Sequence, residues 1–170
     1  MDAEILMYTN YLKVQQTKTG NGVFTTVDIS SNTPIIEIRG PIYTDKTLPD
    51  PSDPSILQIG PDIFMGATGG PDDMIRHSCN PNCLMHVVGN RAILYSMYVI
   101  KAGSELTFDF SATSTDTLDS WNMDCNCGSA NCRKMISGFN TLDEETKKKL
   151  LDKNCVPIYI THPGLILKRW

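Results

Sequence analysis

The sequence predicts a mainly β domain followed by one helix near its C-terminal end. Three observations carry that expectation. Short runs of β-favouring residues, punctuated by glycine and proline, fill the region up to about residue 110. Helix-start chemistry occurs convincingly at one place only, near residue 141. Between the two, three cysteines fall within the eight residues 125–132.

Taken in order, residues 12–15 and 20–27 read as two strands joined by a glycine-marked turn, since Gly20 and Gly22 flank Asn21. Ser31-Asn32-Thr33-Pro34 is a turn, and Ile35-Ile36-Glu37-Ile38 is the next strand. Residues 41–61 carry five prolines and several aspartates, which predicts an irregular excursion with little regular structure. At its end, residues 56–59 and 63–65 flank Gly60-Pro61-Asp62 as a short hairpin. Residues 66–71 read as loop, and 72–75 are too few to predict a helix. The strongest strand signal covers 91–99, and Lys101-Ala102-Gly103-Ser104 turns it into a further strand over 105–110. The helix is expected over 142–152, with Thr141 and Glu144 as a T-x-x-E capping box and Asn154 as its stop. Lys147, Lys148 and Lys149 near its end complement the helix dipole on a solvated face.

A chain of 170 residues is long enough for one compact domain with its own core. The formal charge of −4 argues against direct nucleic-acid binding, which favours a basic face, and suits a basic protein partner. No secretory signal is visible, and no run approaches the roughly 20 apolar residues needed to cross a bilayer. The sequence-based expectation is therefore a soluble intracellular protein, cytoplasmic or nuclear, without membrane association.

The cysteine pattern Cys125-x-Cys127-x4-Cys132 supplies three thiolates at a spacing suited to structural zinc, with Gly128 and Asn131 favouring the tight turns between them. A fourth ligand must come from elsewhere, and spacing leaves Cys79, Cys83 and Cys155 open. Those not used as ligands read as buried apolar thiols.

Arg76-His77-Ser78-Cys79-Asn80-Pro81-Asn82, then Glu105-Leu106-Thr107-Phe108-Asp109-Phe110, then the cysteine pattern, resemble in order and spacing the SET-domain protein-lysine methyltransferases with a post-SET zinc motif. The tail beyond the cysteines looks like that of small stand-alone members. The resemblance implies a SET fold of small curved sheets with a C-terminal pseudoknot. It implies a SET domain over 1–120 with a variable insertion at 41–70, a post-SET segment over 121–139, and a helix and tail over 140–170. It also implies that Cys79 completes the zinc site with Cys125, Cys127 and Cys132. S-adenosylmethionine would be the cofactor, held by Gly20, Asn21 and Gly22 at the turn, by Arg76 and His77, and by Asn126.

The implied reaction is methyl transfer to the ε-amine of lysine in a protein substrate, such as a histone tail. Three positions depart from the family pattern. Phe110 stands where a catalytic tyrosine is usual, Ile38 where a second active-site tyrosine is found, and Arg76 where asparagine precedes the histidine. Phe108 occupies a position at which phenylalanine leaves room for methylation beyond the first step. These departures frame an alternative, an impaired SET domain that binds cofactor or peptide as an interaction module. Tyr43, Tyr95 and Tyr98 are the tyrosines that would have to reach the site to compensate, and Trp121 and Tyr159 are aromatics available to cover it or to pack the core.

Overall fold

A computed structural model describes residues 8–115 and 122–163. A hairpin of β1 (Leu12–Thr17) and β2 (Gly20–Thr25) pairs Lys13 with Phe24 and Gln15 with Gly22. Gly20 sits at φ +114°, a conformation that favours glycine. β3 (Pro34–Ile38) follows, then β4 (Ile42–Thr44), β5 (Leu57–Gly60) and β6 (Ile63–Met65), which form a three-stranded antiparallel sheet in the order β4, β6, β5. The proline-rich stretch is thus more regular than expected, because Ile42-Tyr43-Thr44 pairs with Ile63, Phe64 and Met65 before the prolines begin in earnest.

After a 3₁₀ turn at Pro71–Met74 come β7 (Arg76–His77), β8 (Cys83–Val88) and β9 (Arg91–Ser96). β9 is central to a second three-stranded sheet, between β3 and β8. β8 was not expected, although its burial alternates, with Cys83, Met85 and Val87 turned inward. Of the strand expected over 105–110 only β10 (Thr107–Phe108) forms, and Phe110 opens a 3₁₀ turn. β10 lies parallel to β7, with Thr107 opposite Arg76 and Phe108 opposite His77. That pairing sets the first two motifs side by side.

The core is the apolar face of these small sheets, with Val23, Ile29, Ile35, Leu94 and Leu106 fully buried. A third motif follows as the hairpin of β11 (Asn122–Asp124) and β12 (Met135–Ser137). Helix α1 (Glu144–Asp152) ends at Asn154, whose φ of +54° is the left-handed stop expected. Its cap is Asp143, whose side chain accepts the Thr146 amide, and not Thr141, whose hydroxyl bonds Ser137 and Gly138 instead. A second short helix, α2 (Ile158–Thr161), was not expected. Trp121 lies outside the described residues. Among the described residues no helix is long and apolar enough to cross a membrane.

Candidate functional site

Two cavities meet at Phe110. One, of about 70 Å³, is narrow and mostly apolar, with Ile38, Phe64, Ile75, Met85, Phe108 and Phe110 among its walls. The other, of about 560 Å³, is an open cleft lined by Thr19, Asn21, Arg76, His77, Glu105 and Asn126, with Phe110 again on its wall. The rings of Phe108 and Phe110 stand 4.7 Å apart, and the His77 ring meets Phe110 edge-on at 5.5 Å.

The structure brings together the three residues expected at the reacting centre, Ile38, Phe108 and Phe110, around the narrow cavity. Four of the six expected at the cofactor, Asn21, Arg76, His77 and Asn126, line the cleft. Gly20 and Gly22 lie on the adjoining strand rather than on the cleft wall. Gly22 nonetheless shapes the cleft: a Cβ at that position would overlap Glu105 Oε1 and come within 3.3 Å of Arg76 Nε, so the carboxylate would have to move. Tyr43, Tyr95 and Tyr98 line neither cavity. Tyr98 donates to the Pro81 carbonyl, and Tyr95 packs on His86. No tyrosine hydroxyl from these three replaces the one missing at Phe110.

Tyr159 acts from behind the narrow cavity. Its hydroxyl lies 2.8 Å from the Gln58 carbonyl and 2.6 Å from that of Thr113, so one proton is shared between two acceptors. Both residues are on the cavity wall. Gln58 in turn accepts the Thr115 amide at 2.7 Å and donates to the Gly60 carbonyl at 2.9 Å. Burial pushes the Tyr159 hydroxyl well above its ordinary pKa, so it remains a donor.

The four cysteines expected as metal ligands share one cluster, in which the sulfurs of Cys79, Cys125 and Cys127 lie within 4.8 Å of one another and Cys132 joins through Cys125. Cys125 Sγ lies 3.7 Å from Cys79 Sγ and 3.6 Å from Cys132 Sγ. A tetrahedron with metal–sulfur bonds of about 2.3 Å has edges of about 3.8 Å, so these separations fit a zinc site and are far too long for a disulfide. The ligand atoms of Cys79, Cys125 and Cys127 also lie within 4.8 Å of His77. His77 is not the better fourth ligand, because its Nδ1 accepts the Phe110 amide at 3.2 Å, which leaves the ring proton on Nε2, 3.2 Å from Cys79 Sγ. Its Nε2–H then faces the Cys79 sulfur, and the ring is left with no free lone pair to offer an ion. Burial pushes the imidazole down to about 4.

Around the sulfurs, the Cys79 amide points at Cys127 Sγ and the Arg133 amide at Cys79 Sγ. At Cys127, hydrogen bonds from Cys79 and Ser129 outweigh the cost of burial and lower the thiol to about 6, whereas burial drives Cys125 up. Cys83 and Cys155 are remote from the cluster and buried in separate apolar groups, where burial raises them to about 12 and about 11.

Three residues that brace the site were given no role by the sequence reading. Asn82 bridges the first two motifs: its amide donates to the Glu105 carbonyl at 2.7 Å and its oxygen accepts the Thr107 amide at 2.9 Å. Arg133, immediately after Cys132, forks onto Asp109 with two bonds of 2.7 Å and reaches Ser111 at 3.0 Å. The cysteine segment is thereby pinned beside Phe110. Glu105 pairs with Arg76 through two bonds, of 2.6 and 2.8 Å. The available signal was membership of a motif for Asn82 and Glu105, and adjacency to the last cysteine for Arg133.

Residues 20–111 match the SET domain family. Human histone-lysine N-methyltransferase 2D is 31% identical over 132 residues, which cover 69% of this chain and 2% of that protein. The solved structure of KRYPTONITE in complex with mCHG DNA and SAH superposes with a TM-score of 0.63 at 26% identity, over 74% of this chain and 29% of the other. KRYPTONITE in complex with mCHH DNA, an H3(1-15) peptide and SAH gives a TM-score of 0.61 at 25% identity, with the same two coverages of 74% and 29%. The chain thus spans a small part of the relatives it matches. With residues 20–111, more than half of its length, matching the family, and a relative 31% identical over 69% of it, the chain belongs to the SET-domain family.

Proposed function

We propose that this chain is an S-adenosylmethionine-dependent protein-lysine methyltransferase acting on a basic protein segment, with a histone tail as the leading substrate. The observation that carries the reading is the meeting of the two cavities at Phe110, which offers a narrow apolar passage on one side and a polar cleft on the other. When bound, S-adenosylmethionine supplies a sulfonium methyl group that a neutral amine attacks in line.

The cleft suits that cofactor by volume, falling within the roughly 300–1,000 Å³ usual for ligand sites, and by its convergent amide, imidazole and guanidinium groups. Asn21, Arg76 and Asn126 would hold its polar ends, with the amides of the Gly20–Gly22 strand behind them. Ile38, Phe108 and Phe110 would confine the lysine chain and exclude water, favouring the uncharged amine. Asp72 and Asp73, also on the narrow cavity, suit a cationic peptide. Residues 121–139 would form the zinc segment, with Cys79, Cys125, Cys127 and Cys132 holding the ion and closing the cleft. Residues 1–120 would form the SET domain, and 140–170 its helical tail.

The test is methyl transfer from labelled S-adenosylmethionine to a panel of basic proteins that includes histone H3, for the native chain and Phe110→Tyr. We expect label on lysine in both, and about tenfold or more in the tyrosine form, because one well-placed hydroxyl is commonly worth that much in alignment. Cofactor binding without transfer by either form would overturn the enzymatic reading in favour of an interaction module.

A further inference from the structure

The guanidinium of Arg76 poses an electrostatic problem for the proposed cofactor. An unpaired cation in the cleft attracts a carboxylate but opposes a sulfonium, so it would favour the spent thioether product over the charged cofactor. Glu105 answers the problem. Its carboxylate meets Arg76 in a bidentate fork, with Nε 2.6 Å from Oε1 and Nη2 2.8 Å from Oε2. Arg76 Nη1 reaches the Thr19 hydroxyl, which ties the fork to the turn between β1 and β2. The missing Cβ of Gly22 leaves the space that Glu105 occupies. Asn82 holds the Glu105 main chain from the other side at 2.7 Å. Both charged side chains remain about a quarter exposed, at 27% and 22%, and both line the cleft.

We infer that Glu105 is a specificity-determining residue: by neutralising Arg76 it sets the cleft to accept the cationic sulfonium cofactor over the uncharged thioether that remains after methyl transfer. The inference rests on the methyltransferase reading and deepens it. Arg76 keeps donors on Nη1 and Nη2 beyond the three bonds described, so the fork can meet a carboxylate while its net charge stays near zero. Asp73 and Asp124 also line the cleft. One oxygen of Asp73, Oδ2, accepts the amides of Thr68, Gly69 and Gly70, and both acids are common to every variant below, so their effect cancels in a ratio.

Calorimetric titration of S-adenosylmethionine and S-adenosylhomocysteine into the native protein, Glu105→Gln, Arg76→Asn and the double variant tests this. Relative to the native protein, Glu105→Gln should shift the ratio of dissociation constants about tenfold toward the thioether, the scale of one unit charge acting through a partly hydrated cleft. Arg76→Asn should shift it the opposite way, and the double variant should return it to within about twofold. Raising the salt concentration should shrink both single-variant shifts.

A purely structural brace would weaken both ligands alike in both single variants, and that result, or an unchanged ratio, overturns the inference. If Glu105→Gln does not fold, the opposite-signed shift in Arg76→Asn still decides. Native protein that binds neither ligand would instead remove the methyltransferase reading itself, an outcome distinct from an equal loss in the variants.

Discussion

The narrow cavity and the cleft share Phe110 yet are built on opposite principles. The cleft is organised by polar groups that hold one another: Arg76 by Glu105 and Thr19, Asn82 by Glu105 and Thr107, His77 by the Phe110 amide. The narrow cavity presents the rings and aliphatic chains of Phe108, Phe110, Ile38 and Met85, and polar groups of its wall are engaged elsewhere: the Gln58 side chain with Thr115 and the Gly60 carbonyl, and the Gln58 and Thr113 carbonyls with Tyr159 from behind. One region orients its ligand by directional bonds and the other chiefly by shape. The substitution of Phe110 for the usual tyrosine therefore removes direction from the side that has least of it. We take this as the reason why the proposed transfer should depend more on alignment of the amine than on capture of the cofactor.

Three perturbations separate the two regions. The largest effect should come from the cysteine cluster, since Cys125, Asn126 and Cys127 are a wall of the cleft alone. Cys125→Ser should abolish a zinc content of about one ion per chain and lower the melting temperature by about 10 °C or more. S-adenosylmethionine should then no longer raise that temperature, and a chelator should do the same to the native protein. Retention of the metal after the substitution would place the site elsewhere.

A smaller loss should follow Arg133→Ala, which leaves Asp109, 2% exposed, without its fork. Breaking a buried pair on one side costs about 3 kcal/mol or more, which denaturant unfolding should register. Because Asp109 precedes Phe110, both regions should loosen together, and amide exchange should quicken on β10 as well as on β11.

The smallest effect belongs to Tyr159→Phe. Losing one shared hydrogen bond should cost about 1 kcal/mol, with cofactor affinity unchanged and transfer reduced by widening of the narrow cavity. An equal fall in cofactor affinity would show that the two regions are not separable.

The sequence-based expectations succeeded where information is local. The β1–β2 hairpin, β3, the β5–β6 hairpin and β9 are each bounded by glycine, proline or asparagine, and the end of α1 is marked by Asn154. They failed where a partner distant in the chain decides. β4 is three residues that find their strand partner in β6, and β8, lying directly behind the H-S-C motif, is defined by its pairing with β9.

The capping of α1 illustrates the same limit at short range. Thr141 and Asp143 both satisfy the chemistry of an N-cap, and the choice falls to Asp143 because Thr141 closes the preceding 3₁₀ turn, Phe139–Thr141, and the helix begins only at Glu144. At the site, the motifs identify the residues that gather around the two cavities. The Arg76–Glu105 fork joins positions 29 residues apart, and nothing in either local sequence names the other.

Cys79 and Cys125 stand 46 residues apart, so one side of the cleft is synthesised well before the other. At ~5–20 residues per second, the early side would wait about 2–10 seconds for the late one. During that interval a nascent chain presents one of the four thiols, too few to hold an ion, while Arg76 and Glu105 face solvent. On the proposed zinc reading, the cleft would be completed only when the later cysteines reach Cys79, by a closure whose timing would depend on the supply of metal.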